Sequence, residues 1–295
     1  MVWLFLVLFA YFLNAVSTLI SKWLLIKSIP EPVVFTFYIG VLNLIALVLI
    51  PFGFYFPGFN YILVAIFSGV FFGLGFYFLA RALRIDQASQ VAPMIGGLQP
   101  IFVLLFAFWF LPEKLSQGQY AGVLFLVLGS LIMAYEFSRR RVFTEGVKDI
   151  ILSSVFFGLS YALLKLVYLQ QGFVSGFVWT RIGTFLLVIV LAALPGNWHK
   201  IKNNLKGTGE KIKGIFVLAQ ILGAASFLII AYAISLGPVT VINAMQGVQY
   251  AMLFLLVVVL VRRHPHLLDE PLSKKIIVQK SLAISLIIIG LVLII

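Results

Sequence analysis

Arg181 interrupts an otherwise apolar run from Phe173 to Leu194. It lies about eight residues into that run, roughly 12 Å deep if the run is helical at 1.5 Å per residue. A charge near mid-bilayer costs about 2.5–3.5 kcal/mol on insertion scales, so it must face a cavity or a partner. Guanidinium grips carboxylate and phosphate through paired N–H···O bonds, which makes Arg181 a candidate for holding an anionic group of a substrate. The other reading is an inter-helix strut bonded to backbone carbonyls, or a gate residue.

Uncharged polar side chains recur at similar depth: Asn14, Ser17, Tyr77, Gln99, Ser160, Tyr161, Ser226, Asn243, Gln246 and Gln249. In an apolar surround such groups either bond across helices or line a wet cavity. With the exception of Ser226, they join Arg181 as substrate-binding candidates. Tyr250 is a further cavity candidate, because its ring carries a hydroxyl. Gln99 and Gln249 each stand about eleven residues into an apolar run. Lys22 and Lys165 lie near the ends of theirs, where a long cationic side chain ordinarily snorkels to the interface. They are also candidates for gate residues at opposite mouths.

Other chemistries are missing. The chain has no cysteine, which excludes disulfides, thiolate metal sites and cysteine nucleophiles. His199, His264 and His266 fall in loops, and no Zn-binding His pair, Asp-rich metal motif, nucleophile–base pair or P-loop is present. No metal, cofactor or enzymatic activity is expected. No Asp or Glu is expected inside a membrane-crossing run, the nearest being Glu136, so coupling through an embedded carboxylate is not expected. Glu113 and Glu270 stand at loop–helix junctions, where they serve the N-termini of the helices that follow them.

The elements that position these groups follow from composition. Hydrophobic residues make up 63% of the 295, charged residues 10%, and mean hydropathy is +1.15. Only a bilayer accommodates that much apolar surface, provided the backbone polar groups are bonded within helices. A crossing takes about 20 apolar residues, and ten stretches qualify: 2–21, 33–51, 61–83, 88–111, 116–136, 149–169, 173–194, 213–236, 238–261 and 276–295. The first is read as a span, since no small-residue cleavage site follows it. Most prolines fall at the breaks. Pro93 and Pro100, with Gly96 and Gly97, lie inside the fourth span and predict an irregular or kinked helix there.

The ten spans repeat. At an offset of 143, Lys22 overlays Lys165, Ser17 overlays Ser160 and Gly40 overlays Gly183. At 150, Gly73 meets Gly223, Gly97 meets Gly247 and Gln99 meets Gln249. The chain is therefore expected to be an all-α integral membrane protein of ten transmembrane helices, arranged as two five-helix repeats, 1–137 and 149–295, joined by a basic loop, 138–148. Five is odd, so the second repeat enters from the opposite face, an arrangement found in secondary transporters. The repeat also singles out one asymmetry, Tyr38 against Arg181.

Net charge is +12, and eighteen of the 21 Lys and Arg fall near the loops after the odd-numbered spans. The positive-inside rule then places those loops in the cytoplasm and both termini outside it, in a multi-pass plasma-membrane protein. The expected partners are a lipid bilayer and a small-molecule substrate, not nucleic acid, and the expected state is a monomer or homodimer.

Several runs carry a resemblance. Ala82-Leu83-Arg84 through Asp86-Gln87-Ala88-Ser89, then Leu98-Gln99-Pro100, then Leu111-Pro112-Glu113-Lys114-Leu115-Ser116 with Gly122, resemble the EamA-like repeat of ten-span drug/metabolite transporters. Asn14 to Ser17 with Lys22, Phe157 to Ser160 with Lys165, and Arg181 extend it to both halves. The family's tryptophans are absent, and Tyr38 replaces the first-half arginine. The resemblance implies a cavity between the halves, lined mainly by spans 1, 3, 4, 6, 8 and 9, with alternating access. It implies a carrier of a small organic metabolite that is amino acid-like, amphipathic or anionic. A flippase for a lipid-linked or polyprenyl-type substrate is the alternative.

Overall fold

The computed structural model describes residues 2–25, 31–85, 88–134, 146–204, 210–263 and 273–294. Among them there is no strand, and helix α1 covers Val2–Leu25. The second span begins as α2, Pro32–Leu42, with proline at the helix start, where its missing N–H is harmless. It continues as a 3-10 helix over Asn43–Phe52 and ends at Gly53, whose φ of 106° a side chain would strain. Next come α3 (Phe59–Ile85), α4 (Ala88–Phe110), α5 (Gln117–Ala134) and α6 (Val147–Gln171). Gly172, at φ 69°, makes a one-residue corner into α7, Phe173–Ala193. A short α8 (Asn197–Asn204) precedes α9, Glu210–Leu236. The ninth span is split into α10 (Val239–Ala244) and α11 (Gln246–Arg263), and α12 is Lys274–Ile294. Nine of the described spans are long and apolar enough to cross a membrane, and Gln117–Met133 is a shorter apolar helix.

Packing follows the repeat. Helix α1 lies along α9 and α3 lies along α6, while α5 lies along α12. Exchanging the first span with the sixth and the third with the eighth turns the first contact into the second, and the third maps onto itself. One relation is broken: α7 lies against α3 and also against the second span. Helices α3 and α7 touch through glycine on each side. A Cβ on Gly69 would stand 1.9 Å from the Thr180 carbonyl oxygen, and one on Gly183 2.3 Å from that of Ile66. Such bare backbone surfaces let membrane helices approach closely.

Side-chain bonds also show which helix ends share a face. The segment after the second span meets the α6–α7 corner, where Tyr55 N–H donates to Ser175 Oγ at 2.9 Å and Tyr55 Oη donates to the Gln171 carbonyl. Glu113, after the fourth span, reaches the α9–α10 joint. At the opposite end Arg84 and Lys200 pair with Glu31, at 2.9 Å and 3.8 Å.

One expectation is corrected and another is completed. Helix α4 is assigned continuously through Pro93 and Pro100. The break falls in its repeat counterpart, at Met245, and irregular winding falls in the second span. Near Pro93, Tyr250 Oη donates to the Ala92 carbonyl at 2.7 Å, in space that Gly96 leaves open. A carboxylate does lie inside a membrane helix. Asp149, in the first turn of α6, is 3% exposed and pairs with Arg81 at 3.3 Å.

Candidate functional site

Helix α7 delivers Arg181 into the interior, where it is 2% exposed. Its guanidinium carbon lies 4.4 Å from the ring centroids of Phe72 and Phe227 and 5.1 Å from that of Phe177. These rings come from α3, α9 and α7 itself. Each contact is attractive, because the ring faces are electron-rich. Rings offer little to the five N–H groups that guanidinium presents in a plane. Among the described residues the group makes one hydrogen bond, Nη1 to Asn43 Oδ1, at a long 3.4 Å, and Nε has no partner. No carboxylate pairs with it among the described residues.

The surroundings are also short of partners. Asn43 Nδ2 and Tyr168 Oη are buried without a hydrogen bond; Trp179 Nε1, on another face of α7 against Phe54 and Phe56, and both side-chain polar atoms of Gln171 are also unpaired. Asn43 sits where α2 gives way to the 3-10 helix, so the change of winding aims its amide at Arg181. Tyr168 and Gln171 share one face of α6, three residues apart. Side chains lean toward the N-terminus of their helix. Tyr168 on α6 therefore leans toward mid-membrane while Arg181 on α7 leans toward it, near enough for the ring hydroxyl to feel the charge. Tyr161, 6.3 Å from the rings of Phe72 and Phe227, closes the opposite side. Buried polar groups are usually paired. A buried cation with no anionic partner, with the unpaired Asn43 Nδ2 donor and Tyr168 hydroxyl near it, has the composition of an anion site.

A second polar cluster lies around the broken ninth span. Gln99 Nε2 donates to Asn243 Oδ1 at 2.7 Å, and Asn14 Nδ2 donates to Gln249 Oε1 at 2.9 Å. Gln249 in turn donates to Thr18 Oγ1 at 3.3 Å, and Gln246 to Tyr250 Oη at 3.2 Å. These bonds tie α1, α4 and the ninth span together. Here most amides have partners, unlike those around Arg181.

Lys165 is a third buried group, 7% exposed, and it is fully engaged. Its Nζ donates to the carbonyls of Ile234 and Gly237, each at 2.9 Å, where α9 ends. Across the same joint Glu113 Oε1 accepts the Val239 N–H at 2.8 Å, and Oε2 accepts from Thr240 Oγ1 at 3.4 Å. A cation on a helix C-terminus and an anion on the next N-terminus both suit the helix dipoles. Glu113 thus serves α10 in the other half of the chain, not the helix that follows it in sequence.

The remaining expected site residues lie apart from Arg181. Ser17 Oγ donates to the Ala219 carbonyl, Ser226 Oγ to that of Ala10, and Ser160 Oγ to that of Ser68. Tyr77 lines a cleft of about 410 Å³ with Glu31, Arg81, Arg84 and Lys200, at the end that carries the basic loops. Lys22 belongs to α1, but its side chain lies outside the described residues. Sequence reasoning missed Asn43 and Tyr168. An asparagine about ten residues into an apolar span was a usable signal for the first; Tyr168, near a helix end, looked like an ordinary interfacial tyrosine.

Comparison with known proteins gives three findings. The family model described as "EamA-like transporter family" matches residues 1–135. A Sinorhizobium protein named as an uncharacterized transporter in the cobO 3' region is 35% identical over 78 residues, 26% of this chain. The chain spans about half, 54%, of that relative's length. A solved crystal structure of a protein aligns with a TM-score of 0.64 at 16% identity, over 98% of this chain and 95% of that one, which shows the fold alone.

Proposed function

We propose that this chain, whose residues 1–135 match the EamA-like transporter family model, is a member of that family and a secondary carrier of a small organic anion that works by alternating access between its two halves. The observation that carries the reading is the bare state of Arg181. A strut would spend its donors on backbone carbonyls; this guanidinium offers them to aromatic rings and one distant amide. An interaction of opposite charge in so dry a place is strong, and a bound carboxylate or phosphate would complete it.

The joints at the two faces support the alternating part of the reading. The α6–α7 corner is held by Tyr55, and the α9–α10 joint by Lys165 together with Glu113. The Tyr55 and Glu113 bonds join the two halves on one face, and in this reading the opening of that face parts them while Lys165 holds α6 to the end of α9. The Lys- and Arg-rich face is taken as cytoplasmic, which puts Tyr55 and Glu113 on the outer side.

Uptake and counterflow of a panel of organic acids into liposomes, with Arg181→Ala beside the parent protein, tests the proposal. The expected result is acid transport by the parent and its loss in the variant, with the variant still folded. Unchanged transport of every identified substrate, together with lowered stability, would make Arg181 a strut.

A further inference from the structure

The donors around Arg181 define more than a preference for negative charge. Asn43 occupies Nη1, weakly, and Nε is left without a partner, on the edge that accepts a carboxylate side-on through two parallel bonds. Asn43 Nδ2, on the side chain that meets Nη1, and Tyr168 Oη, close enough to feel the guanidinium charge, are further buried groups without partners. No second cation is available to the site among the described residues. Lys165, the other buried cation nearby, is committed to the Ile234 and Gly237 carbonyls.

Charge balance in a low-dielectric interior then limits the ligand. One guanidinium neutralises one negative charge. A phosphate monoester, close to doubly charged near pH 7, would leave an uncompensated anion among aromatic rings, which is strongly unfavourable. A zwitterion would leave an ammonium group with no carboxylate to meet it among the described residues. The rest of the enclosure is apolar: Phe72, Phe177 and Phe227 surround the cation, with Tyr161 beside them.

We infer that Arg181, Asn43 and Tyr168 form a cradle for a single carboxylate, and that the substrate class is a monocarboxylate with an apolar or aromatic body and no cationic group. The inference rests on the anion reading above and narrows it. Arg181 carries the charge; Asn43 and Tyr168 set the geometry and the preference for acid over neutral isostere.

Calorimetric titration of the full chain in lipid nanodiscs tests this with four probes of one shape: phenylacetate, phenylacetamide, phenyl phosphate and phenylalanine. Phenylacetate is expected to bind at least about tenfold more tightly than each of the others. Tyr168→Phe and Asn43→Leu are each expected to weaken phenylacetate by about tenfold, as loss of one hydrogen bond to a charged group does. Phenylacetamide binding should stay where it is, a selectivity that a merely structural role would not produce. Equal or tighter binding of phenyl phosphate or phenylalanine would overturn the inference while leaving the anion reading to the transport assay. Failure of phenylacetate to bind, or an acid-to-amide ratio unmoved in both variants, would overturn it too. Arg181-independent transport would remove the anion reading itself.

Discussion

Lys165 and Arg181 are both cations buried in the membrane interior, on neighbouring helices of the same half, and they are treated in opposite ways. Lys165 gives two short bonds to the carbonyls that end α9. Arg181 gives one long bond to an amide and leaves Nε bare among aromatic rings. The first is what a structural cation looks like in an apolar medium, because every donor that matters is matched by an orphan acceptor. The second is a cation held ready. The difference teaches that depth and charge do not identify a binding residue; the state of its hydrogen bonds does.

The comparison can be broken by mutation, and the stability effects should fall in a definite order. Lys165→Met should cost most, about 3 kcal/mol, because two charge-assisted bonds go and the end of α9 is left uncapped. Denaturation in mixed micelles measures it; a loss under about 0.5 kcal/mol would deny Lys165 its structural role. Glu113→Gln should cost about 1 kcal/mol, since the amide oxygen can still accept the Val239 N–H but the charge on the α10 N-terminus is lost. Ser226→Ala removes one inter-helix bond to Ala10 and should cost about 0.6 kcal/mol, the average for such bonds in membranes. Arg181→Leu should move stability least, costing less than about 0.5 kcal/mol, or raise it, because it removes a buried charge with no anionic partner and without opening a void. A fall as large as that of Lys165→Met would erase the contrast.

Most of the architecture was legible before any coordinates. Ten apolar runs and the matched series Lys22/Lys165, Gly40/Gly183 and Gln99/Gln249 describe the helices and their pairing. So does the depth of Arg181, which needed only its position in a run. The break in the ninth span was not legible, because it turns on how Asn243 and Gln249 find partners on α4 and α1, and no proline marks it. Glu113 was assigned to the nearest helix in sequence, whereas an electrostatic partner is chosen by distance in space. Tyr168 is ordinary in one dimension. It becomes part of the site only when the glycine contacts Gly69–Thr180 and Gly183–Ile66 draw α3 against α7, and α6 lies along α3 beside them.

The central claim is that Arg181 is left without an anionic partner because a substrate acid supplies one. Thermal unfolding of the parent chain and of Arg181→Leu in nanodiscs, each with and without saturating phenylacetate, tests it most directly. A ligand present at 100 times its dissociation constant stabilises by about 2.7 kcal/mol. The account predicts that the parent gains that much with the acid. It predicts that Arg181→Leu starts at or above the unliganded parent and does not respond. A variant that melts well below the parent, with neither protein responding to the acid, would contradict it.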